Sequence, residues 1–128
     1  MDVQDLKKIP LFADVPDEKL TKVATFATLE SAVEGKVIIR EGGYANDFYA
    51  IEDGTVKVER EGTHLADLGP GDVFGEQGLL EKEMRSASVT ATSTLRVIKI
   101  ERWELARMRK AMPEVIDELR RMVEERSG

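Results

Sequence analysis

Gly75, Glu76, Gly78 and Arg85 fall within one short stretch, and their types suit the capture of a phosphate carried on a sugar. That stretch reads Gly71-Asp72-Val73-Phe74-Gly75-Glu76-Gln77-Gly78-Leu79-Leu80-Glu81-Lys82-Glu83-Met84-Arg85-Ser86-Ala87-Ser88-Val89-Thr90-Ala91. Gly75 and Gly78 let the backbone approach a ligand closely, with amides free to point at an anion at the start of a helical turn. Arg85 adds a planar fork of donors, and one charged hydrogen bond of this kind is worth about 1.5–3 kcal/mol. An exposed helix N-terminus contributes only ~0.3–1 kcal/mol, so the arginine should dominate the phosphate term. Glu76 would repel the same phosphate. It makes chemical sense as an acceptor for a hydroxyl, which a ribose beside the phosphate supplies. Taken alone, the stretch fits equally a glycine turn whose Glu76 and Arg85 pair at the surface.

Other chemistries find little to work with. The chain has one histidine, His64, and no cysteine. Disulfides, thiolate metal sites and a cysteine nucleophile are therefore excluded, and a zinc site lacks its set of nitrogen and sulfur ligands. Nothing near His64 resembles a nucleophile elbow, so a surface histidine is expected. The net charge of −6 should repel nucleic acid at long range. The basic run Arg102–Lys110 is interleaved with acids and reads as a solvated helix face. No segment approaches the ~20 apolar residues of a membrane helix, and the acidic start is unlike a secretory leader. The cytoplasm is the expected location. An anion site must be built locally, against the average charge of the molecule.

The elements that must position these residues change character along the chain. With 128 residues and 41% hydrophobic content, one domain with one proper core is expected. Leu20, Val23, Ala24 and Ala27 recur at helical spacing after Asp17, a candidate N-cap, while Pro10 and Pro16 bracket a connector that ends an earlier helix near Ile9. From Thr28 to Glu101 short apolar runs alternate with glycines. The candidate strands are 29–33, 37–40, 47–52, 55–60, 64–68, 86–91 and 94–100. Val56 and Val58 alternate with Lys57 and Glu59, as on a half-buried strand. Asp53-Gly54 gives a hairpin signal, Glu61-Gly62 a weaker turn, and Gly69-Pro70-Gly71-Asp72 a third. An antiparallel sandwich, barrel or roll is expected. Helix returns over 101–111 and from Pro113 toward Arg126. There Val115, Ile116, Leu119, Met122 and Val123 form one apolar stripe, read first as packing on its own domain and second as a pairing surface or lid.

Ordered motifs around the glycine-rich stretch carry a resemblance. They run Leu6-Lys7-Lys8-Ile9-Pro10-Leu11-Phe12, then Val37-Ile38-Ile39-Arg40-Glu41-Gly42-Gly43, then Asp47-Phe48-Tyr49-Ala50-Ile51-Glu52-Asp53-Gly54-Thr55-Val56-Lys57-Val58. Leu68-Gly69-Pro70-Gly71-Asp72-Val73-Phe74-Gly75-Glu76 and Arg85-Ser86-Ala87-Ser88-Val89-Thr90-Ala91 follow. In this order and spacing the chain resembles the cyclic nucleotide-binding domain family of catabolite-activator-type regulators, cAMP-dependent protein kinase regulatory subunits and cyclic nucleotide-gated channels. The resemblance covers nearly the whole chain. It implies a mainly β fold with flanking helices: an antiparallel eight-stranded β-roll, N-terminal helices (1–27), and two C-terminal helices (102–128) as lid or dimerisation element. The roll spans 28–101 and holds the family's phosphate-binding cassette at 74–87. The implied ligand-binding residues are Phe74, Gly75, Glu76, Gln77, Gly78, Arg85, Ser86 and Ala87. In that pattern Gly75 and its neighbours give amides, Glu76 takes the ribose 2′-hydroxyl, Arg85 holds the cyclic phosphate, and Ser86 and Ala87 add donors.

Several positions depart from the pattern. Gln77 stands where Leu, Ile or Met is frequent, Gly78 where Ala is frequent, and Met84 where kinase-type cassettes carry proline. The charged tip Glu81-Lys82-Glu83 is expected to face water. Ser86 directly after Arg85, as in bacterial cAMP binders, favours cAMP over cGMP as ligand, and no cofactor is implied. Val58, Leu119 and Met122 are candidates for base contacts. The 128 residues contain no helix-turn-helix, so the implied partners are the nucleotide and an unidentified protein effector, with a homodimer through the C-terminal helix as one reading. The rival functions are a nucleotide-independent β-roll interaction module acting through its C-terminal helix, and an enzyme on a cupin-like roll. The latter needs a metal cluster that one histidine does not supply.

Overall fold

The computed structural model describes residues 1–44, 47–75 and 87–127, the last five by backbone alone. Two helices open the chain, α1 (Val3–Lys7) and α2 (Asp17–Phe26), with a 3₁₀ turn at Pro10–Phe12 between them. Pro16 is the cap residue of α2, which makes Asp17 its first helical residue instead of its cap. The carboxylate still sits where a helix start favours negative charge, and it pairs with Lys7 of α1. Eight strands follow: β1 (Thr28–Ala32), β2 (Val37–Ile39), β3 (Asp47–Asp53), β4 (Val56–Arg60), β5 (Thr63–Leu68), β6 (Val73–Phe74), β7 (Ser88–Ala91) and β8 (Leu95–Glu101). Helices α3 (Arg102–Ala111) and α4 (Pro113–Ser127) complete the chain. This is the mainly β roll with flanking helices that the motifs implied.

The strands form two antiparallel four-stranded sheets, in the orders β1-β8-β3-β6 and β2-β7-β4-β5. Two hydrophobic clusters result, and the first sheet separates them. Phe48, Ala50, Ile98 and Ile100 face the helices, whereas Tyr49, Ile51, Leu95 and Val97 face the second sheet. Strand β3 thus buries both faces, which is why its sequence reads as a continuous apolar run. The stripe of α4 goes into the helical cluster: Val115, Ile116 and Leu119 are buried there and Met122 packs against it. For these four residues the own-domain reading is the one the fold adopts, while the side chain of Val123 lies outside the described ones.

The turns separate two behaviours. Glu61 and Gly62, both with positive φ (50° and 80°), join paired strands β4 and β5 in a tight hairpin. Asp53-Gly54 is also a turn, with Gly54 at φ 91°, but it is no hairpin, because β3 and β4 lie in different sheets. The corner is held from outside instead. Thr55 N donates to Ser93 Oγ (3.0 Å), and Thr92 N donates to Thr55 O (2.9 Å). A Cβ on Gly54 would lie 2.2 Å from the Thr94 carbonyl oxygen, so the packing of this corner as well as its dihedral calls for glycine.

Candidate functional site

The two described ends of the predicted cassette stand on opposite sheets. Its front end is β6, which pairs with β3 in the first sheet, and its back end leads into β7 in the second. Phe74 is buried and stacks on Tyr49 with ring centroids 5.0 Å apart and planes 13° from parallel. Gly75 follows at φ 84°, a left-handed conformation that a side chain would strain. Ala87 is half-buried, just before β7 begins. Glu76, Gln77, Gly78, Arg85 and Ser86 lie outside the described residues, as does the charged tip 81–83. Of the eight predicted ligand residues, Phe74, Gly75 and Ala87 are therefore described, at the two ends of the predicted cassette.

The back end is tied to its surroundings through polar contacts. Glu41 N donates to Ser88 Oγ (2.9 Å), and Glu61 N donates to Glu41 Oε1 (2.9 Å). One glutamate after β2 thereby links the start of β7 to the β4–β5 hairpin. Beside the Phe74 stack lies a cavity of about 140 Å³ lined by Ile38, Ile39, Arg40, Gly43, Tyr44, Asp47 and Tyr49. The residue types alone gave no reason to choose Tyr49, Tyr44 or Arg40 as site neighbours. Tyr49 and Arg40 sat inside family motifs, and only the β3–β6 register brings Tyr49 opposite Phe74.

Other sequence candidates fall elsewhere. His64 is exposed on β5, its Nε2 2.9 Å from Asp67 Oδ1. Among the described residues no group of three or more histidine or carboxylate side chains is placed to hold a metal. No helix among them is long and apolar enough to cross a membrane. Val58 packs against the cluster between the sheets, whereas Leu119 and Met122 belong to the helical cluster. The three candidate base contacts are not gathered in one place in this conformation.

The two-sheet roll with flanking helices is the fold that the sequence motifs implied. The chain belongs to the cyclic nucleotide-binding domain family, whose model matches residues 29–111. That family is described as a cyclic nucleotide-binding domain. It is 36% identical over 98 residues to the cGMP-dependent protein kinase, isozyme 1, of Drosophila melanogaster, covering 71% of this chain and 13% of that protein. Among solved structures, cAMP-bound PfPKA-R (141–441) superposes with a TM-score of 0.87 at 26% identity, covering 98% of this chain and 43% of that one. The regulatory subunit of a cAMP-independent protein kinase A from Trypanosoma brucei superposes at 0.83, also at 26% identity, covering 93% and 43%. The chain spans 12–25% of the length of the first curated relatives it matches.

Proposed function

We propose that this chain binds cAMP in preference to cGMP and acts as a cytoplasmic, non-catalytic sensor that passes a conformational signal to a separate protein. The observation that carries the reading is the cassette motif in the sequence, Gly75-Glu76 through Arg85-Ser86-Ala87, in a roll of this family whose strands before and after it, β6 and β7, lie in different sheets. In that reading Arg85 holds the cyclic phosphate, Glu76 accepts from the ribose 2′-hydroxyl, and Phe74 anchors the strand that delivers Gly75. Backbone amides at Gly75, Gln77 and Gly78, and donors at Ser86 and Ala87, complete the grip. Ser86 after Arg85 supports cAMP. Both a cGMP-dependent kinase and a cAMP-bound regulatory subunit lie among the similar proteins, so the preference rests on that residue.

Calorimetric titration of wild type and Arg85→Ala with cAMP and cGMP tests the reading. A charged hydrogen bond of about 1.5–3 kcal/mol converts to a loss of roughly tenfold to more than a hundredfold in affinity. Circular dichroism should show the fold intact. Wild type that binds neither nucleotide would support an interaction module instead, a reading to which the cAMP-independent relative lends weight. Tighter cGMP binding would overturn the nucleotide preference and leave the class standing.

The packing of α4 constrains how a signal leaves the site. Pulling Val115, Ile116 and Leu119 out of the helical cluster would expose three buried side chains at about 1.5–3 kcal/mol each. That is about 4.5–9 kcal/mol, whereas reversing a 1:99 population takes about 5.5 kcal/mol of differential ligand affinity. Movement of the packed helices as a unit against the roll is the cheaper route. Trp103, exposed on α3 with the Arg107 guanidinium 5.5 Å from its ring centroid, should report it by fluorescence. Tight nucleotide binding with unchanged Trp103 emission and unchanged hydrogen exchange over 101–126 would sink the switching proposal.

A further inference from the structure

Strand β7 runs between β2 and β4 in the second sheet, and its first residues take the chain back from the cassette. The registers fix what stands on either side of that entry. Ile39 of β2 lies opposite Val89, and Glu59 of β4 lies opposite Ser88. Both neighbours run antiparallel to β7, so the residues that follow them, Arg40-Glu41 and Arg60-Glu61, flank the Ala87-Ser88 end of β7 from its two sides. Glu41 closes that gap. Its backbone N–H donates to Ser88 Oγ (2.9 Å), and its carboxylate Oε1 accepts from the Glu61 N–H (2.9 Å). One residue after β2 thus reaches from one side of β7 to the other, across the place where the cassette rejoins the sheet.

The turn that Glu41 holds is a demanding one. Glu61 has φ 50°, left-handed backbone for a residue with a side chain, and such a conformation persists only where its surroundings fix it. A carboxylate is the stronger acceptor for that amide, because a charged partner roughly doubles the strength of a hydrogen bond. Both bonds are exposed to water, which lowers their net worth toward that of an ordinary neutral bond. For positioning, that is enough. Arg85 stands two residues before Ala87 in the chain. Its fork adds affinity only as far as the backbone beneath it is already fixed, since the cost of ordering it is subtracted from binding.

We propose that Glu41 is a positioning residue for the cyclic nucleotide: it clasps the start of β7, holds the arm that returns from the cassette, and couples nucleotide occupancy to the β4–β5 hairpin. The proposal rests on the nucleotide-binding reading above. Coupling is reciprocal, so the factor that the clasp adds to affinity returns as nucleotide-dependent protection of the clasp. The test is calorimetry with cAMP and cGMP on wild type, Glu41→Ala, Glu41→Gln and Ser88→Ala, with amide exchange at Glu61 followed by NMR with and without saturating nucleotide. Glu41→Ala should weaken the nucleotide by about three- to tenfold, the worth of one exposed hydrogen bond, and Ser88→Ala should act in the same direction. Glu41→Gln keeps an oxygen that accepts from the Glu61 N–H, and it should stay within about twofold of wild type. A purely electrostatic role would instead make Gln and Ala alike. In wild type the nucleotide should slow Glu61 exchange by a factor similar to the affinity lost in Glu41→Ala. Wild type that binds neither nucleotide removes the reading beneath the proposal. Wild type that binds, with Glu41→Ala equally tight or Glu41→Gln as weak as Glu41→Ala, overturns the clasp and leaves nucleotide binding standing. Unchanged Glu61 exchange on binding overturns it as well, and that arm uses wild-type protein, so it does not depend on the folding of any variant.

Discussion

Removing the ring of Phe74 should destabilise the domain by about 4 kcal/mol, and the structure indicates where that cost arises. Phe74 is 2% exposed within the cluster between the sheets. An aromatic side chain buries about 150–250 Å², which at ~25 cal/mol per Å² gives about 4–6 kcal/mol. Measured Phe→Ala costs of about 3–5 kcal/mol overlap that range. The stack on Tyr49, 5.0 Å between centroids, supplies about 0.5–1.5 kcal/mol as a pair term. Urea denaturation of wild type and Phe74→Ala should therefore show the midpoint falling by about 2 M at a slope near 2 kcal/mol/M. A double-mutant cycle of Phe74→Leu with Tyr49→Leu should recover the pair term as coupling. Cyclic nucleotide affinity should fall too, since Phe74 ends the strand that presents Gly75. A loss below about 1 kcal/mol, or a coupling indistinguishable from zero, would refute the claim that this stack anchors the front of the cassette.

Gly54→Ala should cost about 1–2 kcal/mol for its left-handed backbone, and more for the clash with the Thr94 carbonyl, read as a lowered urea midpoint. Wild-type stability in that variant would mean that the corner between the sheets can open without loss. Leu119→Ala should cost about 2.7–5 kcal/mol, because its side chain is fully buried in the helical cluster, whereas Val33→Ser, at 71% exposure, should stay within about 0.5 kcal/mol. A neutral Leu119→Ala would mean that α4 is not docked as described. Glu114 is held below its ordinary pKa of 4.5 first by the hydrogen bond from Lys19 (2.8 Å) and then by its own backbone amide. A depressed carboxylate contributes stability that is present above the unfolded value and lost as pH falls through the folded one. Lys19→Met should flatten the pH dependence of the melting temperature below about pH 4.5, and an unchanged acid limb would remove this pair as a link between α2 and α4.

Much of this domain follows from local chemistry. Short apolar runs broken by glycine predict the strands to within a residue or two. Pro113 predicts the start of α4, and the period of Val115, Ile116, Leu119 and Met122 predicts which of its faces is covered. The identities of Arg85, Glu76 and Gly75 suit a sugar phosphate but by themselves fit a surface ion pair equally, and their place among ordered motifs names the family. Strand β6 escaped because two residues carry no period, and it sits inside a stretch that reads as turn and helix. Asp53-Gly54 shows the limit of local reading. Its dihedral is written in the residue pair, but whether a turn closes a hairpin or carries the chain to another sheet depends on which strands pair. Pairing is decided by contacts with Thr92, Ser93 and Thr94, some forty residues away. In the same way the stripe on α4 specifies that something must cover it, and only the tertiary structure brings α3 and the Pro10–Phe12 turn to it. The surroundings of Glu104 have no local signature at all. Residues 22–26 and 104–112 meet only after folding, so the burial of Glu104, whose Oε2 has no hydrogen-bond partner among the described residues, is a property of the tertiary structure alone.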